Sequence, residues 1–168
     1  ENLRERWTQT LDANGQFVVV SGDAGLGKSR LVRAFRDSLS DTPLRLLDGY
    51  CAARASSSVF DPIIPMLGRG LGFAEQDTPS QRLTRLEQAL AVHGADAART
   101  VPPLARLLSV PPSQRYAYED ASPEIERERT LSAAVSLVLA LAQPRPLLFT
   151  IEDLHWSDPS TLEFLQRL

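Results

Sequence analysis

Cysteine is nearly absent: Cys51 is the only one among 168 residues. No internal disulfide can therefore form, which suits a reducing compartment. Cys51 has no His or Asn near it in sequence to make it a nucleophile, so it reads as a small core residue. There are only two histidines, His93 and His155, and no His/Cys cluster has the spacing of a metal site. Long apolar runs are also missing. The longest, Ala133 to Ala142, is broken by Ser136 and is too short to cross a bilayer. The N-terminus lacks the basic-then-apolar pattern of a secretory signal. No excess of positive charge exists either: the net charge is −3, which argues against direct binding to nucleic acid or an anionic membrane. A cytoplasmic protein with no membrane contact is expected. With 43% hydrophobic and 23% charged residues, the composition is that of a soluble globular protein, and the length suits one domain.

Lysine is the most informative scarcity. Of 18 basic residues only Lys28 is a lysine. Arginine cannot replace the compact ammonium where a point charge must enter a tight loop, so the single exception marks Lys28 as a residue with a task.

Periodicity predicts a short helix over 1–14, with Leu3, Trp7 and Leu11 on one face, and a turn at Asn14-Gly15. Gln16 to Ser21 is β-branched and apolar, as in a strand buried on both faces. A helix over about Lys28–Leu39 and a second buried strand, Leu44–Asp48, follow. No strand is expected between about 52 and 142. Ser56-Ser57-Ser58 reads as a loop, and Pro62 opens a helix carrying Ile63, Ile64 and Leu67. Thr78-Pro79-Ser80-Gln81 is a capping box that launches a helix with Leu83, Leu86 and Leu90 inward, ended by Gly94. Ala97–Leu108 reads as a weaker helix interrupted by Pro102-Pro103, and Pro111–Asp120 as a loop with Tyr116 and Tyr118. Ser122 caps a long helix ending near Ala142; a third buried strand spans Leu147–Ile151; Asp158-Pro159 starts a last helix.

Two motifs carry chemistry. Residues 22–29, GDAGLGKS, fit G-x-x-x-x-G-K-[ST], a chance match of about one in a thousand for this composition. Such a loop turns successive backbone N–H groups and a helix N-terminus toward phosphates. The expected nucleotide-binding residues are Gly22, Asp23, Ala24, Gly25, Leu26, Gly27, Lys28, Ser29 and the adjoining Arg30. Lys28 should reach the β- and γ-phosphates and Ser29 should ligate Mg²⁺. The second motif is LLFTIEDLHWSD, 147–158, where Glu152 and Asp153 end an apolar strand. Paired acids there are costly unless a cation or hydrogen bonds compensate them. By position Glu152 is assigned to the metal and Asp153 to the attacking water, with the two roles exchangeable. Lys28, Glu152 and Asp153 are thus the expected catalytic groups, with ATP and Mg²⁺ as cofactors. No N-K-x-D motif for guanine is present.

GDAGLGKSRLV, CAARASSSVFDPIIPMLGRGLGF and IEDLHWSDPSTLEFL resemble AAA-type P-loop ATPase modules of the STAND signalling class. The closest likeness is to those of bacterial multidomain proteins, placed after a class III adenylate/guanylate cyclase domain or ahead of helical repeats. Related modules occur in LuxR-type transcription regulators. The resemblance runs from about residue 14 to the C-terminus. It implies a three-layer α/β/α P-loop fold with a parallel sheet, incomplete at the C-terminus, and a helical insertion at about 52–142. Residues 1–168 would then be the N-terminal portion of a single domain. It also implies a nucleotide-dependent switch that holds ATP or ADP, hydrolyses slowly, and is covalently linked to effector and repeat domains; oligomerisation stays open. Two other functions compete with a hydrolysing module, weak or inactive as this piece. One is a binding switch without turnover. The other is a phosphotransferase, for which no lid rich in basic residues is visible. Since the sensor strand of such folds comes after the Glu152 strand in sequence, the resemblance further implies that Leu44–Asp48 pairs directly with Leu147–Ile151. Val18–Ser21 and Leu147–Ile151 would stand about 10 Å apart in place of ~4.8 Å.

Three further residue groups have two readings. His155-Trp156 could sense the γ-phosphate, as the resemblance hints, or Trp156 could pack and His155 stay partly exposed. Arg127 and Arg129 could reach a phosphate or a neighbouring subunit, but the interleaved Glu124, Glu126 and Glu128 favour a solvated charged face. His93, before Gly94, reads as a helix C-terminal residue.

Overall fold

A computed structural model describes residues 2–12, 14–53, 59–111, 113–116 and 121–168. The expected loop at Ser56-Ser57-Ser58, and Tyr118 within the later loop, lie outside the described residues. The chain divides into two compact units, Glu1–Leu44 and Arg45–Leu168.

In the first unit, α1 (Asn2–Leu11) buries Trp7, while Leu11 is 51% exposed. Arg6 Nη1 donates to Gln16 Oε1 at 3.0 Å, tying α1 to the stretch before the glycine loop. That stretch corrects the expectation for 16–21: it forms no strand and has no ladder partner among the described residues, and Phe17 is 73% exposed. A β-branched run favours a strand only once a neighbour accepts its backbone bonds and covers its side chains. The loop leads into α2 (Lys28–Asp37), and Leu39 beyond it is buried.

The second unit holds a two-stranded parallel sheet. β1 (Arg45–Tyr50) pairs with β2 (Leu147–Glu152), placing Leu47 beside Phe149 and Gly49 beside Ile151. Arg45 N–H to Pro146 O (2.8 Å) and Cys51 N–H to Glu152 O (3.0 Å) extend the ladder at both ends. The direct pairing implied by the resemblance is thus observed. Among the described residues four helices lie between the strands in sequence: α3 (Ile63–Gly70), α4 (Pro79–His93), α5 (Ala97–Leu107) and α6 (Pro123–Ala142). A 3₁₀ turn (Leu154–Trp156) and α7 (Pro159–Arg167) follow β2. The sheet and helices fit an α/β P-loop-like fold.

Local chemistry explains most boundaries. Thr78 and Gln81 form the expected capping box at α4, and Gly94 ends it at φ 68°, a left-handed value that glycine adopts without strain. Ser122 caps α6 by accepting from Ile125 N–H. α5 departs from expectation by running unbroken through Pro102 and Pro103. Its Val101, Pro103 and Leu104 are buried, and packing of that face offsets the backbone bonds the prolines forgo. One core joins the elements, with Leu47, Ile63, Met66, Leu67, Leu86, Leu90, Leu131, Leu137 and Phe164 essentially inaccessible. Each such side chain contributes roughly 1.5–3 kcal/mol on burial. Gly49 lets α3 approach β1, because a Cβ there would collide with Met66 Sδ.

Candidate functional site

The residues expected to carry chemistry occupy one element in each unit. In the first unit Gly22–Ser29 forms an open loop entering α2. Gly25 and Gly27 take φ of 85° and 82°, and the space beside Gly25 is empty to 4 Å. These values fall where a Cβ is disfavoured, so both glycines are required for the turn. Gly27 is also the N-cap of α2 and adds no side-chain cap, leaving the cap position open to an external acceptor. Lys28 Nζ donates back to Gly22 O (2.8 Å) and Asp23 O (3.0 Å), so the ammonium lies against the loop's own backbone. Ser29 and Arg30, the next residues of α2, are exposed. Open glycine backbone, a helix start and an ammonium together suit the oxygens of a polyphosphate.

In the second unit Glu152 is the last residue of β2, half-buried beside Tyr50. Strand alternation puts its side chain on the face opposite Phe149, whose ring lies 6.1 Å from that of Phe164. Asp153 is exposed and left-handed, at φ 57° and ψ 41°, and its carbonyl accepts from Trp156 N–H. Aspartate tolerates this region better than most side chains, but at a cost in strain. His155 and Trp156 follow, both exposed, with ring centroids 5.0 Å apart. The reading in which Trp156 packs is therefore corrected: it is 46% exposed, because the 3₁₀ turn holds it off the core. Arg127 pairs with Glu163 of α7, while Arg167 bridges Glu128 (2.6 Å) and Glu163 (2.5 Å). The charged face of α6 thus serves to join α7.

Asp158 was legible only as the start of α7. Its buried carboxylate accepts from Ser160 N–H (2.9 Å), Thr161 N–H (3.1 Å) and the Thr161 hydroxyl, and also from Phe60 N–H (3.3 Å), far away in sequence. Burial pushes this carboxyl up, but the four donors outweigh that and hold it below its ordinary value. Cys51, buried at the end of β1, has its thiol raised by burial and by Asp158, Asp61 and Asp153 nearby. It is a core residue, as its sequence setting suggests. Nothing in the spacing of the sequence could have joined Asp158 to Phe60.

Among the described residues no group of three or more His, Cys, Asp or Glu is arranged to hold a metal, and no helix is long and apolar enough to cross a membrane. A family model described as AAA ATPase domain matches residues 1–168, so the chain belongs to that family. It is similar to an uncharacterized protein of Rhizobium meliloti (strain 1021), with 28% identity over 164 residues. The match covers 97% of this chain and 16% of that relative's length. No solved structure matches the chain. The family makes the chain a nucleotide-binding ATPase module of P-loop type, which implies use of ATP, usually with Mg²⁺.

Proposed function

With membership of the AAA ATPase domain family as the premise, we propose that this chain binds ATP through Gly22–Arg30 and hydrolyses it slowly, as the regulatory switch of a signalling protein. The observation that carries the reading is the loop itself: two left-handed glycines, an uncapped helix start and the chain's single lysine against the loop carbonyls. The Lys28 ammonium would exchange those carbonyls for β- and γ-phosphate oxygens, and Ser29 would offer its hydroxyl to the metal. When bound, Mg²⁺ would supply neutralising charge to the phosphates. Glu152 is the acid proposed to help hold the metal. Asp153, exposed at the end of β2, would take the proton of the attacking water. We further propose that residues 1–168 are the N-terminal portion of one three-layer domain, with α3–α6 as a helical insertion between its strands. Linkage to an output domain such as a cyclase or a DNA-binding regulator, and a cytoplasmic setting, rest on the resemblance of the motifs. That the related stretch is 16% of the Rhizobium protein supports a module within a longer polypeptide.

Two variants test the reading. Lys28→Ala removes a charge-assisted contact worth ~1.5–3 kcal/mol, so affinity for a fluorescent ATP analogue should fall roughly tenfold to a hundredfold. Asp153→Asn should keep that affinity and lower single-turnover hydrolysis about a hundredfold. Unchanged affinity in the first variant removes the loop assignment. Unchanged turnover in Asp153→Asn with loss in Glu152→Gln exchanges the two acids, and a wild type that binds but never turns over is a switch alone.

A further inference from the structure

Among the described residues three that are not glycine have positive φ: Phe60 (60°), Ser109 (53°) and Asp153 (57°). Two of them bear on the candidate site: Phe60 lies in the turn before α3, and Asp153 directly follows β2. Phe60 is 2% exposed, bulky and left-handed, a conformation that persists only when its surroundings enforce it. Its carbonyl accepts from Ile63 and Ile64 N–H at 3.0 Å each, which starts α3. Its own N–H is taken by Asp158 Oδ1. That same oxygen accepts from Ser160 and Thr161 N–H, fixing the start of α7 and with it the far end of the turn that begins at Asp153. Between these points the turn is short and internally bonded, with Ser157 N–H and hydroxyl both donating to Leu154 O (3.0 and 2.6 Å).

We propose that Asp158 is a positioning residue for hydrolysis: by joining the Phe60 turn to the start of α7, it holds the strained turn that aims Asp153. This rests on the proposed role of Asp153 and adds a residue that touches neither nucleotide nor water. A short turn clamped at one end by β2 and at the other by a carboxylate bonded to Phe60 cannot relax to an unstrained φ at Asp153. Released at the Asp158 end, it can.

Capping and joining separate by substitution. Serine caps a helix as well as aspartate does, but its hydroxyl is one bond shorter and cannot also receive Phe60 N–H. Asparagine keeps Oδ1 for all three N–H groups and offers Nδ2 to the Thr161 hydroxyl oxygen. In the whole protein, Asp158→Ser should retain ATP-analogue affinity within about twofold while single-turnover hydrolysis falls about tenfold, and Asp158→Asn should restore most of that turnover. In a Trp7→Phe background, acrylamide quenching of Trp156 should rise in Asp158→Ser and return to the unsubstituted level in Asp158→Asn. Should the serine variant fail to fold, Asp158→Thr, another short cap, supplies the same comparison. Equal turnover in Asp158→Ser and wild type overturns the proposal, as does loss of affinity and turnover in equal proportion. Asp153→Asn run alongside separates the failures: if it leaves turnover intact, the Asp153 role falls and this inference with it. If it abolishes turnover while Asp158→Ser does not, only the inference falls.

Discussion

The two units hold their chemistry in place by different means. In Arg45–Leu168 a continuous core runs from Leu47 to Phe164, and Glu152 and Asp153 sit at the end of a strand packed into it. In Glu1–Leu44 the buried hydrophobic side chains among the described residues are Trp7 and Leu39. Its loop takes its form from glycine backbone and from one lysine bonded to carbonyls five and six residues away. A phosphate loop is thus specified locally, so a short motif suffices to announce it. Acids at the end of a strand depend on partners about a hundred residues distant, and their setting is specified by packing.

That contrast is open to direct attack. The largest effect should appear in hydrogen exchange: amides of Phe17–Val20, without a ladder, should exchange near the rate of unstructured peptide. Those of Leu47 and Phe149 should be protected ~10³-fold or more. Comparable protection in both stretches would erase the distinction. Next in size, Leu137→Ala, at a site with 0% exposure, should cost about 2–5 kcal/mol in urea unfolding. Val19→Ala, at 65% exposure, should stay within about 0.5 kcal/mol. The smallest and sharpest effect is in acid. Asp158 lies below its ordinary value of 3.8, since hydrogen bonds from Thr161, Phe60 and Ser160 outweigh the upward push of burial. A depressed carboxylate stabilises the folded state above its ordinary value, and that contribution is lost as pH falls through the folded value. Asp158→Asn removes this titration, while other carboxylates cancel in the difference. The gap in Tm between wild type and Asp158→Asn should therefore be full at pH 7 and close as pH falls below about 3.8. A gap that persists in acid would mean that the carboxylate's charge contributes nothing.

What the sequence disclosed follows the same division. The boxes at Thr78 and Ser122, the glycine at 94 and the Asp158-Pro159 start act over one turn of chain, and each stands where its residues indicate. The strands expected at 44–48 and 147–151 form at Arg45–Tyr50 and Leu147–Glu152, legible because each contains a short apolar run that needs covering. Gln16–Ser21 is richer in β-branched residues than either strand yet forms none, since a ladder requires a partner that no local pattern records. Pro102-Pro103 misleads in the other direction, because the packing of Val101 and Leu104 outweighs a local rule. The glycine turn and the start of α2 at Lys28 could be read from the motif. The bond from Phe60 to Asp158 could not, because it exists only once the fold brings together residues 98 positions apart.

The pairing of β1 with β2 also has a consequence in time. Leu47 and Phe149 become neighbours only after about a hundred intervening residues have been made. During synthesis β1 therefore emerges with both edges open and waits while α3 to α6 form beneath it. Those helices meet through nearby contacts, so they can assemble early, shortening the chain that β2 must close. Folding of this unit should accordingly be paced by the arrival of β2, with α7 and its Phe164 completing the core after it.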